Sequence, residues 1–132
     1  MISFAAERLR LWAAILFIVL LSACSDGTAP ALQKLDQDAV ILAFGDSLTY
    51  GTGADHHTES YPAVLATLSG RNIINAGVPG EVSREGLIRI RTLLEQHQPD
   101  LVLLCHGGND LIRKLGGEQL QQNLVQMIDS IR

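Results

Sequence analysis

The chain has 132 residues, 47% of them apolar, with 10 basic against 14 acidic side chains and a formal net charge of −4. That length holds one domain and not two. The acidic balance, with no basic cluster anywhere, excludes nucleic acid as a partner. Of the two cysteines, Cys24 and Cys105, neither belongs to a CxxC, and no HExxH is present, so no metal and no cofactor is expected.

Taken from the start, Glu7, Arg8 and Arg10 precede the apolar run Leu11–Leu21. The run is short for a membrane-spanning helix, and its charged start and small-residue end read as a secretory signal. It closes on "LSAC", Leu21 to Cys24. This stretch resembles the bacterial lipobox, which implies cleavage before Cys24 and acylation of that residue. Two or three acyl chains anchor stably where one does not. Residues 1–23 are therefore expected to be a lipoprotein signal peptide. Ser25 stands where an inner-membrane retention signal favours Asp, so the expected place is the cell envelope, anchored to the outer membrane and facing the periplasm. Loss of Glu7, Arg8 and Arg10 leaves 13 acidic and 8 basic side chains. Cys105 then has no internal disulfide partner, and its apolar run reads as buried.

"SDGTAPALQKLDQD", Ser25 to Asp38, is polar and turn-rich, so residues 24–38 are expected to be a tether. "AVILAF", Ala39 to Phe44, has the length and continuous apolar character of a strand covered on both faces. After the loop "TGADHHTES" comes a helix, with Ser60 as cap, Pro62 in its first turn and Gly70 past its end. Its expected apolar stripe is Tyr61, Val64, Leu65 and Leu68. Asn72 to Ala76 is a second strand, followed by "GVPGE". The next helix opens near Ser83 and runs to about Gln98, where Pro99 stops it, with Leu87, Ile90 and Leu94 as its stripe. Asp100 to His106 is a third strand, followed by "GGNDL". The last segment carries Leu120, Leu124, Met127, Ile128 and Ile131 on one helical face. Strands and helices alternate, so residues 39–132 are expected to be an α/β fold with a parallel sheet.

In such a sheet ligands gather at the carboxyl ends of the strands. Here those ends carry "GDSLTYG", "GVPGE" and "GGND". Acyl transfer needs a hydroxyl nucleophile, a base to take its proton, and preorganised donors for the oxyanion. Glycine lets backbone N–H groups approach a ligand, and an Asn amide donates without repelling an anion. Ser47, a glycine of the second loop and Asn109 fit those needs.

The three blocks together resemble the SGNH hydrolases, also called GDSL esterases. They are closest to the group of periplasmic arylesterases, acyl-thioesterases and lysophospholipases. In that group "GDSLT.G" is followed by "SYPA.L", then "N.G..GE.S..GL.R", then "PDLV.L..GGND". This chain shows all four over Val40 to Arg132. The resemblance implies a three-layer, flavodoxin-like fold. It implies Ser47 as nucleophile, and the Ser47 N–H, the Gly80 N–H and the Asn109 amide as oxyanion donors. Gly77 competes with Gly80, which is preferred because it precedes the acidic residue. Asp46 and Asp110 are expected to fix loop backbones. The implied substrates are small esters, thioesters or lysophospholipids.

The family's base is a histidine in a late Asp-x-x-His block. His56, His57, His97 and His106 stand in no such block. The expectation is that the chain stops before it, as the N-terminal part of the domain, and is close to inactive as it stands. An early stop would also leave the third strand with an apolar edge and the last helix with little to pack on. Two other readings compete. One is a non-catalytic lipoprotein that keeps the scaffold to bind an acyl or glycan ligand. The other is a flavodoxin-like phosphate binder, for which the loop after Gly51 is too long.

Overall fold

The computed structural model describes residues 33–132. The expected signal peptide, Cys24 and most of the expected tether lie outside the described residues. Three parallel strands, β1 (Val40–Gly45), β2 (Asn72–Gly77) and β3 (Leu101–Cys105), form one sheet in the order β2-β1-β3. This is the order in which a flavodoxin-like sheet begins, with its topological switch between β1 and β3. Five helices accompany them among the described residues: α1 (Ser47–Tyr50), α2 (Tyr61–Ser69), α3 (Ser83–His97), α4 (Gly108–Ile112) and α5 (Gly117–Ile131).

The apolar run of β1 takes the central place, where both faces must be covered, and Ile41 to Gly45 are all buried. Register then sorts the side chains. Leu42 lies level with Ile74 and Val102, and Phe44 with Ala76 and Leu104. These six line one face, where Ile90 of α3 and Met127 of α5 close over Leu42 and Phe44. Each such side chain stabilises by about 1.5–3 kcal/mol when fully buried. On the other face, Pro62, Ala63 and Ala66 of α2 line a groove with Ile73 and Asn75 of β2. Helices on both faces give the three-layer α/β arrangement expected from the sequence.

The helix ends follow their local chemistry. Ala63 N–H donates to Ser60 Oγ (3.4 Å) at the start of α2, and Gly70, at φ +64°, closes it with its N–H on Ala66 O (2.9 Å). At the end of α3, Gln98 turns left-handed (φ +43°) just before Pro99.

Four expectations need correction. The stripe of α2 is rotated: Pro62 is buried and Leu65, Ala66 and Ser69 are half-buried, whereas Val64 and Leu68 are exposed. Pro62 sets the rotation, because its ring packs inward on the sheet. Cys105 is exposed, because β3 is an edge strand whose burial fades toward its carboxyl end. The last helix does have a partner, because α5 packs along α3 through Leu120, Asn123 and Met127, while Ile128 faces out. Finally, α1 and α4 are single turns within segments read only as loops.

Candidate active site

Gly45, Gly77 and Cys105 lie level across the sheet, so the three loops after the strands leave from one edge. Close packing at that edge excludes side chains. A Cβ on Gly45 would collide with Thr49 Oγ1 and the Cys105 carbonyl, and one on Gly77 would collide with the Tyr50 N–H. Gly77 is thus used for the contact between β2 and α1.

Asp46 caps α1, its buried carboxylate accepting the Leu48 N–H at 3.1 Å. Gly51, at φ +93°, ends the turn with its N–H on Ser47 O (3.1 Å). Half-buried Ser47 is therefore the first residue of a one-turn helix. The first N–H groups of a helix have no partner inside it. The Ser47 N–H makes no hydrogen bond among the described residues.

In the second loop, Val78 N–H donates to Gly45 O (3.1 Å) and Glu81 N–H to Val78 O (3.2 Å). This turn holds Gly80 at φ +80°, a conformation that favours glycine. Its carbonyl accepts Arg113 Nη2 (2.8 Å), while its N–H has no acceptor among the described residues.

The third loop is tied to both others. A Cβ on Gly108 would lie 3.4 Å from Asp46 Oδ2, which sets α4 beside the serine turn. Asn109 Nδ2 donates to Glu81 O at 3.0 Å, leaving its second N–H for another acceptor. Asp110, buried, accepts Ser83 N–H (2.8 Å) and Ser83 Oγ–H (2.6 Å). Asn123 Nδ2 donates in turn to Ser83 Oγ (2.8 Å), joining α5 to the same network.

Beneath the loops lies a charged group that sequence reasoning missed. Glu81, 7% exposed, receives both Nε (2.7 Å) and Nη2 (2.6 Å) of Arg89. His106 Nε2 lies 3.0 Å from Glu81 Oε2, and its ring stacks on Phe44. A carboxylate only accepts, so Nε2 carries the hydrogen. Burial pushes the Glu81 carboxyl up, but hydrogen bonds from Arg89 and His106 outweigh it and hold the group below the ordinary glutamate value. The available signal was the block "N.G..GE.S..GL.R", whose acidic residue is Glu81 and whose final arginine is Arg89, three residues after Gly86 on the same helix.

The other histidines stand apart. His56 Nδ1 donates to Tyr50 O (2.6 Å), its ring stacks on Tyr50, and His57 meets it edge-on. Both line the groove over α2 and β2, which does not include Ser47. His97 ends α3, about 20 Å along the helix from Ser83.

A β2-β1-β3 parallel sheet with a serine turn, a glycine turn and an Asn-Asp turn at its carboxyl edge defines an SGNH-type α/β fold. The family model described as "GDSL-like Lipase/Acylhydrolase family" matches residues 43–132, and the chain belongs to that family. It is 36% identical over 94 residues to "Thioesterase 1/protease 1/lysophospholipase L1" of Escherichia coli K12, covering 70% of this chain and 45% of that protein. It is 34% identical over 121 residues to "Esterase TesA" of Pseudomonas aeruginosa, covering 86% of this chain and 58% of that one. Among solved structures, AlinE4, an SGNH-hydrolase family esterase, superposes with a TM-score of 0.67 at 41% identity, over 74% of this chain and 55% of AlinE4. The chain thus spans about half the length of the curated relatives it matches.

Proposed function

We propose that this chain carries the nucleophile and oxyanion half of a serine hydrolase acting on carboxylic esters or thioesters. The observation that carries it is the common edge where the Ser47 N–H, the Gly80 N–H and the second N–H of Asn109 are left without acceptors among the described residues. Ser47 Oγ attacks the acyl carbon, and its proton passes to a base. The carbonyl oxygen becomes an anion held by those three donors. Collapse expels the alcohol or thiol, which takes up that proton, and water then releases the acid from Ser47. Acyl esters, thioesters and lysophospholipids are the substrate class, in keeping with the names of the relatives.

The general base comes from outside residues 33–132. None of His56, His57, His97 and His106 hydrogen-bonds to Ser47, and His56 and His106 are bonded elsewhere. The Asp-x-x-His block of the resembled family would supply it. Asp46 and Asp110 hold the loops and take no part in the chemistry. Cys24 is lipidated and anchors the chain to the outer membrane on its periplasmic side.

The test compares p-nitrophenyl butyrate hydrolysis by the chain ending at Arg132 and by a form extended through an Asp-x-x-His block, each with Ser47→Ala. A triad serine without its histidine is expected to lose about 10³-fold or more in rate. The extended form should turn over readily and Ser47→Ala should abolish it. Equal rates for the short and long forms, both abolished by Ser47→Ala, would place the base among the four histidines. An extended form that binds fatty acid without hydrolysing ester would support the non-catalytic acyl-binding reading instead.

A further inference from the structure

We infer that Arg89 and Glu81 are positioning residues that set the orientation of the Asn109 amide, an inference that rests on the oxyanion role proposed for Asn109. The Asn109 side chain has two N–H bonds and one oxygen, and only one way round presents a donor to an anion. What selects that way round is the Glu81 carbonyl, which accepts one N–H at 3.0 Å and so turns the other outward.

The carbonyl is fixed because its own side chain is fixed. The Arg89 guanidinium grips both carboxylate oxygens of Glu81, at 2.7 and 2.6 Å. A two-point fork of this kind sets direction as well as distance. The same guanidinium donates to the Ala76 carbonyl (3.0 Å) and reaches the Gly45 carbonyl (3.4 Å), and it lies 4.2 Å from the centre of the Phe44 ring. One side chain thus ties the ends of β1 and β2 to the loop carrying Gly80. His106 adds the end of β3 through Glu81 Oε2. The three strands that deliver the three loops meet at one carboxylate, one residue from the Gly80 N–H and one hydrogen bond from Asn109.

This arrangement explains an otherwise costly choice. His106 is fully buried, and its Nδ1 has no hydrogen-bond partner. An apolar residue beside Phe44 would avoid that penalty. The imidazole gives Glu81 Oε2 a second donor beside that of the fork.

The test is solution NMR on the full chain, following hydrogen exchange of the Asn109 side-chain amide. In the unaltered protein, one of its two protons is expected to exchange about three- to tenfold more slowly than those of an exposed Asn such as Asn72, as for a single modest hydrogen bond. Arg89→Gln should erase that difference while the backbone amides of Leu42 and Phe44 stay protected. Arg89→Lys, which keeps the charge without the fork, should restore part of it. Unchanged Asn109 exchange in Arg89→Gln, with the β1 amides still protected, would overturn the inference. So would a change that appears only together with loss of β1 protection, since that is general loosening. The phosphonylation of Ser47 by a p-nitrophenyl phosphonate, in the form extended through an Asp-x-x-His block, separates the underlying reading. If Asn109 responds as expected but Asn109→Ala leaves that rate unchanged, the positioning stands and the oxyanion role falls.

Discussion

At the scale of single residues, the carboxyl edge is built on what side chains cannot be there. Gly45→Ala would push a methyl into Thr49 and the Cys105 carbonyl, backbone that cannot yield without shifting β3. The expected cost is about 1–3 kcal/mol, read as a lower denaturant midpoint with unchanged slope. Gly53→Ala is a useful contrast, since nothing lies near its Cβ position and only its φ of +98° opposes a side chain. The sequence marked Ser47, Asp46 and Asn109 because they stand in blocks that together resemble the SGNH hydrolases; as residue types, Ser, Asp and Asn are ordinary in turns. It assigned Glu81 no role, although the block "N.G..GE.S..GL.R" contains both Glu81 and Arg89, because an acidic residue after a glycine looks like any solvated turn. Only the fold brings Arg89 and His106 to it. Its lowered proton affinity has a consequence. The folded carboxyl binds its proton less tightly than the unfolded chain does, so its stabilisation is complete above the ordinary glutamate value and is lost as pH falls through the folded one. Stability of the unaltered protein should therefore drop below about pH 4. Glu81→Gln should be weaker at pH 7 by on the order of 2 kcal/mol and show a shallower acid decline. Parallel pH profiles of the two proteins would contradict this.

At the scale of elements, strand and helix positions were legible because each signal was doubled. Continuous apolar runs of strand length alternated with capped, proline-stopped helical periods. Faces were less legible. The α2 stripe was read from hydrophobicity alone, but Pro62 turns the helix so that small residues meet the sheet. In α5 the reverse occurred. Asn123, a polar residue inside an apolar pattern, is buried and bonded to Ser83 and Gln119. Periodicity assigns such a residue to solvent, because Ser83, the partner across the helix interface, lies on another element. The Ser83–Asp110–Asn123 chain pins the start of α3, the turn α4 and the helix α5 to one another. Asn123→Leu keeps the branching of the side chain, with somewhat larger methyl groups, but leaves the Ser83 hydroxyl with one partner fewer. The expected loss is about 1–3 kcal/mol in urea unfolding. A neutral substitution would mean that Leu packs against Met127 well enough to replace the bond.

At the scale of the whole molecule, the described chain enters the sheet at the edge opposite the serine turn. The chain enters β1 at Val40, whose N–H donates to Asp100 Oδ2 at the amino edge (2.8 Å), whereas Ser47 stands at the carboxyl edge. A six-residue strand puts roughly 20 Å between those edges. The lipid proposed on Cys24 is expected to act on location and not on the reaction. Two or three acyl chains on Cys24 should hold the mature protein in the membrane fraction, where intact-mass measurement would find a chain beginning at acylated Cys24. Cys24→Ser should move the protein out of that fraction and leave phosphonylation of Ser47 in the extended form unchanged. An unmodified mature chain, or one beginning at another residue, would refute the anchor. A Cys24→Ser protein that stays with the membrane would show that something other than acyl chains holds it there. If the variant leaves the membrane and Ser47 reactivity falls with it, the independence of the two edges is wrong, and the amino-terminal segment must reach the site.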